Sequence, residues 1–353
     1  MKRVTRSGQP LIEPVTGCGP DQPQTAVYLN AQYFQFERQW PCPESRNHDD
    51  WTRWRARLRR ALRRTLRLDR LGPIPTPRPV VLETSGGDGY QRQKIAYETL
   101  PGNWASAYLL IPHDGKGRRP AVICPHGHVK GGKEGVVNPQ NALGVAYGHE
   151  LARRGLVVLA PDNAGMGERD IKPDQAYHGS SGCMLTWVRL NHIGLDLTGL
   201  RVFDLMAGIT LLTARPDVDS QRIGCAGLSG GCWLSQVLTA LDRRIRAVIL
   251  SGFFTTFVQT VWHGHCICHH PFGIGRLCDL PDLSALIAPR PQFIESGKQD
   301  TPYPLEPAFT MVKRAYTLLG SPDRLGLDAY DGGHLFRGEV SIPWLVERLK
   351  SPA

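Results

Sequence analysis

Long apolar runs are what this 353-residue sequence most plainly lacks. None approaches the roughly 18 uninterrupted apolar residues of a bilayer-spanning helix, so no membrane partner is expected. The N-terminal stretch MKRVTRSGQPLIEPVTG has a charged start but no continuous apolar core, so no export signal is read there and a cytoplasmic location is expected. A disulfide framework is also missing: the nine cysteines, at 18, 42, 124, 183, 225, 232, 266, 268 and 278, are odd in number and follow no export signal. Cys124, Cys225 and Cys232 read as small packing residues. Net positive charge is scarce outside one place. The formal net charge is +10, and the segment 51–71, with nine arginines and one aspartate, supplies +8 of it. No zinc-finger spacing and no aromatic-interleaved RNA motif accompanies that segment.

What is present fits a globular chain, with 41% hydrophobic and 21% charged residues. In the arginine segment, Trp51, Trp54, Leu58, Leu62 and Leu66 recur at helical spacing, behind Asp49 and Asp50. We read it as an amphipathic helix that packs its Trp/Leu stripe inward and leaves its arginines solvated. The alternative is an electrostatic footprint for nucleic acid or an acidic partner. From residue 79 the texture changes. PVVLE, RQKIAYETL, ASAYLLIP, RPAVIC, LVVLAPD, RIGCAGLS, RAVILSG, PQFIESG and LGLDAY read as strands, with helices expected over 141–155, 198–216, after 229, over 304–320 and at 342–350. Short apolar strands alternating with helices predict a mostly parallel sheet covered on both faces. The expected organisation is an N-terminal helical extension, 1–74, and a catalytic domain, 75–353.

Gly227-Leu228-Ser229-Gly230-Gly231 matches G-x-S-x-G, with an apolar strand before it and a helix after it. Glycines on either side let a sharp strand-to-helix turn close around a serine, and Gly230 N–H, at a helix start, faces where an oxyanion would develop. Serine needs a base to act as a nucleophile. His334 lies in YDGGHLF just past the last expected strand, on a loop that Gly332 and Gly333 allow to turn. Asp300, at the end of PQFIESGKQD, is the preferred orienting carboxylate. Glu295 is the second choice, read as structural, and Asp323 and Asp328 lie too close to the last strand.

These phrases, with CPHGH at 124–128, APDNAGMGER at 160–169, RPDVDSQRIGCAGLSGGC at 215–232, IAPRPQFIESGKQD at 287–300 and GGH at 332–334, resemble the α/β-hydrolase superfamily over roughly 90–353. The similarity is greatest to the bacterial dienelactone hydrolase-like and acetyl xylan esterase-like group. The resemblance implies an α/β-hydrolase fold and a Ser229/Asp300/His334 triad, in the hydrolase chain order, acting on carboxylic esters through an acyl-enzyme. Serine at the elbow, where dienelactone hydrolases proper have cysteine, favours ordinary ester hydrolysis. His126-Gly127-His128 resembles the HG-type oxyanion loops of lipases and esterases, which implies a backbone donor at His128, with Val129 as the alternative and His126 bracing the loop.

The expected substrate is a small-molecule ester, such as an acetylated carbohydrate, and no cofactor is required. A prolyl-oligopeptidase-like serine peptidase is the nearest alternative, although the chain has no room for a propeller. Glu168 and Arg169, beyond a strand's C-terminal end, read either as an ion pair with each other or as substrate contacts. Trp187 and Trp262 are candidate pocket walls. The run HGHCICHH offers His263, His265, Cys266, Cys268, His269 and His270 as metal ligands. Its single dense cluster with C-x-C spacing reads instead as packing and pocket lining, with no metal assigned.

Overall fold

Alternate residues along the central strands face two different cores. The computed structural model describes residues 38–113, 117–171, 182–262 and 265–351. It contains nine strands: β1 (Val80–Gly86), β2 (Tyr90–Leu100), β3 (Asn103–Pro112), β4 (Arg119–Ile123), β5 (Val157–Pro161), β6 (Val218–Leu228), β7 (Ile245–Ser251), β8 (Gln292–Gly297) and β9 (Leu325–Tyr330). They form one sheet in the order β1-β2-β3-β5-β4-β6-β7-β8-β9. The first three strands and β5 pair antiparallel, and every pairing from β5 through β4 to β9 is parallel.

The two-residue side-chain period sends Ile123, Val157, Leu159 and Cys225 into one cluster and Val122, Cys124, Val158, Ala160 and Ala226 into the other. A sheet buried on both faces needs helices on both. The helices of seven residues or more are α1 (His48–Thr65), α2 (Tyr147–Arg153), α3 (Gly182–His192), α4 (Leu197–Ala214), α5 (Gly230–Leu241), α6 (Leu280–Ile287), α7 (Ala308–Leu318) and α8 (Ser341–Lys350). Residues of α2 and α8 join the second cluster, and those of α1, α4, α5, α6 and α7 join the first. This is an α/β-hydrolase fold, as the sequence leads one to expect.

Helix α4 corrects one expectation. Its 18 residues have a mean hydropathy of 1.4, apolar enough to cross a membrane, and 83% of them are buried inside the protein. Arg201 and Asp204 interrupt the run in the sequence, and both are buried. It is a core helix, N-capped by Asp196, which accepts from Gly199 N at 2.8 Å. Two other helices escaped the sequence reading. For α6 the signal was present: Asp279 and Asp282 form a capping box, with proline in the first turn.

In α1 the Trp/Leu stripe is buried as expected, and it shares the first cluster with the sheet. The boundary expected at 74/75 falls between this helix and the sheet. Seven of the segment's arginines are exposed, but Arg55 and Arg59 are not simply solvated. Arg55 Nη2 donates to Ala288 O at 2.7 Å, and Arg59 donates to Ala240 O at 3.0 Å and Leu286 O at 3.1 Å. These carbonyls lie at or just past the C-terminal ends of α5 and α6, where helices leave acceptors unpaired and favour cations. Desolvation there pulls the Arg59 guanidinium down to about 10.

Candidate active site

Ser229 stands between β6 and α5 as the helix's N-cap, with φ 58° and ψ −121°. Apart from Arg67 it is the one non-glycine with positive φ among the described residues. Such a conformation persists only where surroundings enforce it. Ser229 N donates to Ser251 O at 2.9 Å, and Trp233 N donates to Ser229 O at 3.0 Å. The glycines clear the approach: a Cβ on Gly227 would lie 2.3 Å from Gly231 O, and one on Gly231 would lie 2.2 Å from Pro125 O.

Asp300 and His334 come together across two neighbouring loops. His334 Nδ1 is 2.7 Å from Asp300 Oδ2, with the carboxylate buried and the imidazole partly exposed. The loops are laced by backbone bonds from Lys298 N to Tyr330 O at 2.9 Å and from Gln299 N to Gly332 O at 3.0 Å. Tyr330 Oη donates to Gly333 O and Leu335 O on either side of the histidine. Ser229 and His334 line one cleft of about 370 Å³. No hydrogen bond joins them directly, and such bonds are often longer in free enzymes than in complexes. Glu295 lies elsewhere, accepting from Gly338 N at 2.8 Å and Ser341 Oγ at 2.5 Å.

The loop after β4 passes beside the elbow. The backbone N–H groups of His128 and Gly230 have no acceptor among the described residues, whereas Val129 N is engaged with Gly127 O at 3.0 Å. That removes Val129 as the alternative donor. His126 is buried and lines the cleft. It is held by its Nδ1 contact to Gly127 O at 2.7 Å and by Asn163 N, which donates to its Nε2 at 3.0 Å. Burial pulls its pKa down to about 4, so the ring is neutral and braces the loop against the end of β5.

Three pocket expectations are corrected. Glu168 and Arg169 neither pair with each other nor line the cleft. Glu168 bonds Lys94, Lys133 and Ser106, and Arg169 bonds Asp204 at 2.8 Å and Asn103 at 3.0 Å. Adjacent residues diverge because the turn at 167–169 points them to different neighbours. Trp187 packs in a small cluster with Cys183 and Cys268 instead of lining the cleft. The Trp262 side chain and His263 lie outside the described residues.

Sequence reasoning missed Lys133. It is buried, with its Nζ 2.6 Å from Asp162 Oδ2 and 2.9 Å from Glu168 Oε2. Burial raises the Glu168 pKa, but bonds from Lys94, Ser106 and Lys133 outweigh it and hold the group at about 2. Folded pKa below unfolded means a stabilising contribution present above about pH 4.5 and lost as pH falls toward 2. Glu168→Gln is therefore expected to lower the denaturation midpoint at pH 7 and to have a shrinking effect below pH 4.5, measured by denaturant titration at each pH.

The HGHCICHH run splits in space. His269 Nδ1 lies 2.7 Å from His265 Nδ1, and His265 Nε2 lies 2.5 Å from Tyr303 Oη, beside the cleft. Desolvation lowers His265 to about 4 and pushes His269 well below its ordinary value. Cys266 and Cys268 instead meet His128 and Cys183, from two distant parts of the chain. The Cys183 thiol is held far below the ordinary range by hydrogen bonds from Cys266 and Cys268, with His128 and Arg201 adding to them.

A buried, mostly parallel sheet whose sixth strand breaks at a strained serine into a helix defines an α/β-hydrolase. The chain belongs to the Abhydrolase family, which matches residues 40–333. It is 27% identical over 261 residues to the Bacillus subtilis (strain 168) protein YtaP, provisionally named a hydrolase, covering 70% of this chain and 83% of that one. Among solved structures, a Bacteroides fragilis NCTC 9343 protein provisionally named an acetyl xylan esterase superposes with a TM-score of 0.76 at 20% identity, over 99% of this chain and 98% of the other. Methylesterase BT1017 aligns with a TM-score of 0.62 at 26% identity, over 87% of this chain and 68% of that one.

Proposed function

We propose that this hydrolase is a serine esterase that cleaves small acyl esters, with acetylated carbohydrates as the substrate class. The observation that carries the reading is His334, paired with Asp300, sharing a cleft with Ser229 at its strained turn. Asp300 engages Nδ1, which leaves Nε2 for the serine proton. Ser229 Oγ attacks the carbonyl carbon as its proton passes to His334. The N–H groups of Gly230 and His128 receive the oxyanion. Collapse expels the alcohol with the proton from His334, and a water activated by the same imidazole then hydrolyses the acyl-enzyme. No step calls on a cofactor.

The cleft supports a small acyl group. Its volume of about 370 Å³ is near the lower end for ligand sites. Val129, Val136, Leu143 and Leu228 give it an apolar wall. The names carried by the Bacteroides protein and Methylesterase BT1017 point to ester chemistry as well. None of the eight described cysteines is in a disulfide, which suits the cytoplasmic location we include in the proposal.

The test is a panel of p-nitrophenyl acetate, butyrate and octanoate with acetylated xylo-oligosaccharides and a peptide p-nitroanilide. The expected result is kcat/KM highest on acetate and at least about tenfold lower on octanoate, with no amide turnover. A preference for octanoate defeats the small-acyl assignment, and turnover of the anilide alone favours the peptidase alternative.

A further inference from the structure

The cleft's neighbour is a compact group of three thiols and one imidazole that the ester chemistry does not use. The donor atoms of His128, Cys183, Cys266 and Cys268 all lie within 4.8 Å of one another. Cys183 Sγ and Cys268 Sγ lie 3.5 and 3.4 Å from His128 Nε2, and Cys266 Sγ lies 3.2 Å from Cys268 Sγ. Tetrahedral zinc, with Zn–S near ~2.3 Å and Zn–N near ~2.0 Å, sets its donors about 3.5–3.8 Å apart. We propose that His128, Cys183, Cys266 and Cys268 form a Cys3His zinc site, one per chain, that fastens the oxyanion loop to two distant segments of the fold.

Three observations converge on it. The donor set is soft and complete: three thiolates and an imidazole fill a four-coordinate shell, the closed arrangement of a structural zinc site. A second observation is a buried cation. Arg201 is 2% exposed. It donates to Ala164 O from Nε at 3.0 Å and from Nη2 at 2.8 Å, and Nη2 also meets Cys183 Sγ at 3.2 Å. None of these acceptors is a carboxylate. A buried charge requires a compensating one. Zinc with three thiolates and a neutral imidazole carries a net charge of −1, which Arg201 complements.

The third observation is the other face of His128. Its Nε2 meets the sulfurs, and its Nδ1 turns to the elbow, 3.2 Å from where a Cβ on Gly230 would stand. The imidazole thus spans from the cluster to the turn that carries Ser229. The other described histidines of the HGHCICHH run are not in the group. His265 and His269 contact each other, and His265 also meets Tyr303.

Binding exchanges protons only. The sulfurs bind as thiolates and the imidazole as its neutral form, whatever protons these groups carried pass to solvent, three Zn–S bonds and one Zn–N bond form, and no electron is transferred. Zinc content is measured independently of ester turnover, so failure of one proposal leaves the other standing.

The experiment uses the full chain, expressed in zinc-supplemented medium and purified without chelator. Elemental analysis is expected to find about one zinc per chain. Cys183→Ser and Cys268→Ser are each expected to lose at least about tenfold of that content, while His270→Ala keeps it. Because the serine variants could misfold, unmodified protein is also stripped and reloaded with Co²⁺. Intense visible d–d bands of tetrahedral cobalt with thiolate-to-cobalt charge transfer are expected. The proposal is overturned by folded protein that holds no zinc and gives no such spectrum, by zinc retained in Cys183→Ser, by its loss in His270→Ala, or by a Cys266–Cys268 disulfide in the purified protein.

Discussion

Ser229→Ala is expected to lower kcat on p-nitrophenyl acetate by about 10⁴- to 10⁶-fold, which corresponds to roughly 5–8 kcal/mol of lost transition-state stabilisation. The loss should fall on kcat with KM little changed, because the hydroxyl contributes little to holding the ground-state ester. Alanine at this position keeps the positive φ that the surrounding bonds impose, so the variant should fold; circular dichroism checks that point. The proton path explains the size of the effect. With Oγ gone, the His334–Asp300 pair has no nucleophile to activate, and the two N–H donors can assist only attack by water. Activity within tenfold of the parent would falsify the serine esterase reading, whatever the ester.

A large effect on stability is expected far from that cleft. Trp51 is fully buried, donates its Nε1 to Ser45 O at 2.9 Å and packs edge-on against Trp54. Trp51→Ala should cost about 3–5 kcal/mol and lower the melting midpoint by roughly 4–7 °C. Arg60→Ala, on the exposed face of the same helix, should leave the midpoint unmoved. Thermal melts of the two variants side by side decide between a helix built into the core and one merely lying on it. An unchanged melt for Trp51→Ala would mean the stripe does not stabilise the domain. If the helix is built in, deleting residues 1–72 would strip a wall from the first hydrophobic cluster and should unfold the protein.

Most of the central strands were legible as short apolar runs closed by glycine, proline or a charge, and β5 is buried at every position. Asp300 and His334 could be read for the same reason: each follows directly on a legible strand. Contacts formed by the chain's path through space were not legible. Lys133 finds Asp162 and Glu168 from 29 and 35 residues away. Cys268 finds His128 from 140 residues away, and no spacing rule reaches across such intervals. The histidine-rich run misled because adjacency suggests a shared ligand. Its chain turns at Ile267–His269, and Cys266 and Cys268 meet His128 and Cys183 while His265 and His269 meet each other. Glu168 and Arg169 misled in the same way.

The lacing of the Asp300 loop to the His334 loop divides the cleft into parts that can change at different rates. The acid and the base ride on one stitched unit, where inserting a single residue would shift both against the serine. Another part of the wall, which includes His265 and Cys266, belongs to the stretch between β7 and β8, and no register constraint from the sheet acts on that stretch. Substrate preference can therefore drift or be engineered by exchanging that wall, with the proton-transfer geometry inherited intact, provided the pair Cys266 and Cys268 keeps its anchorage.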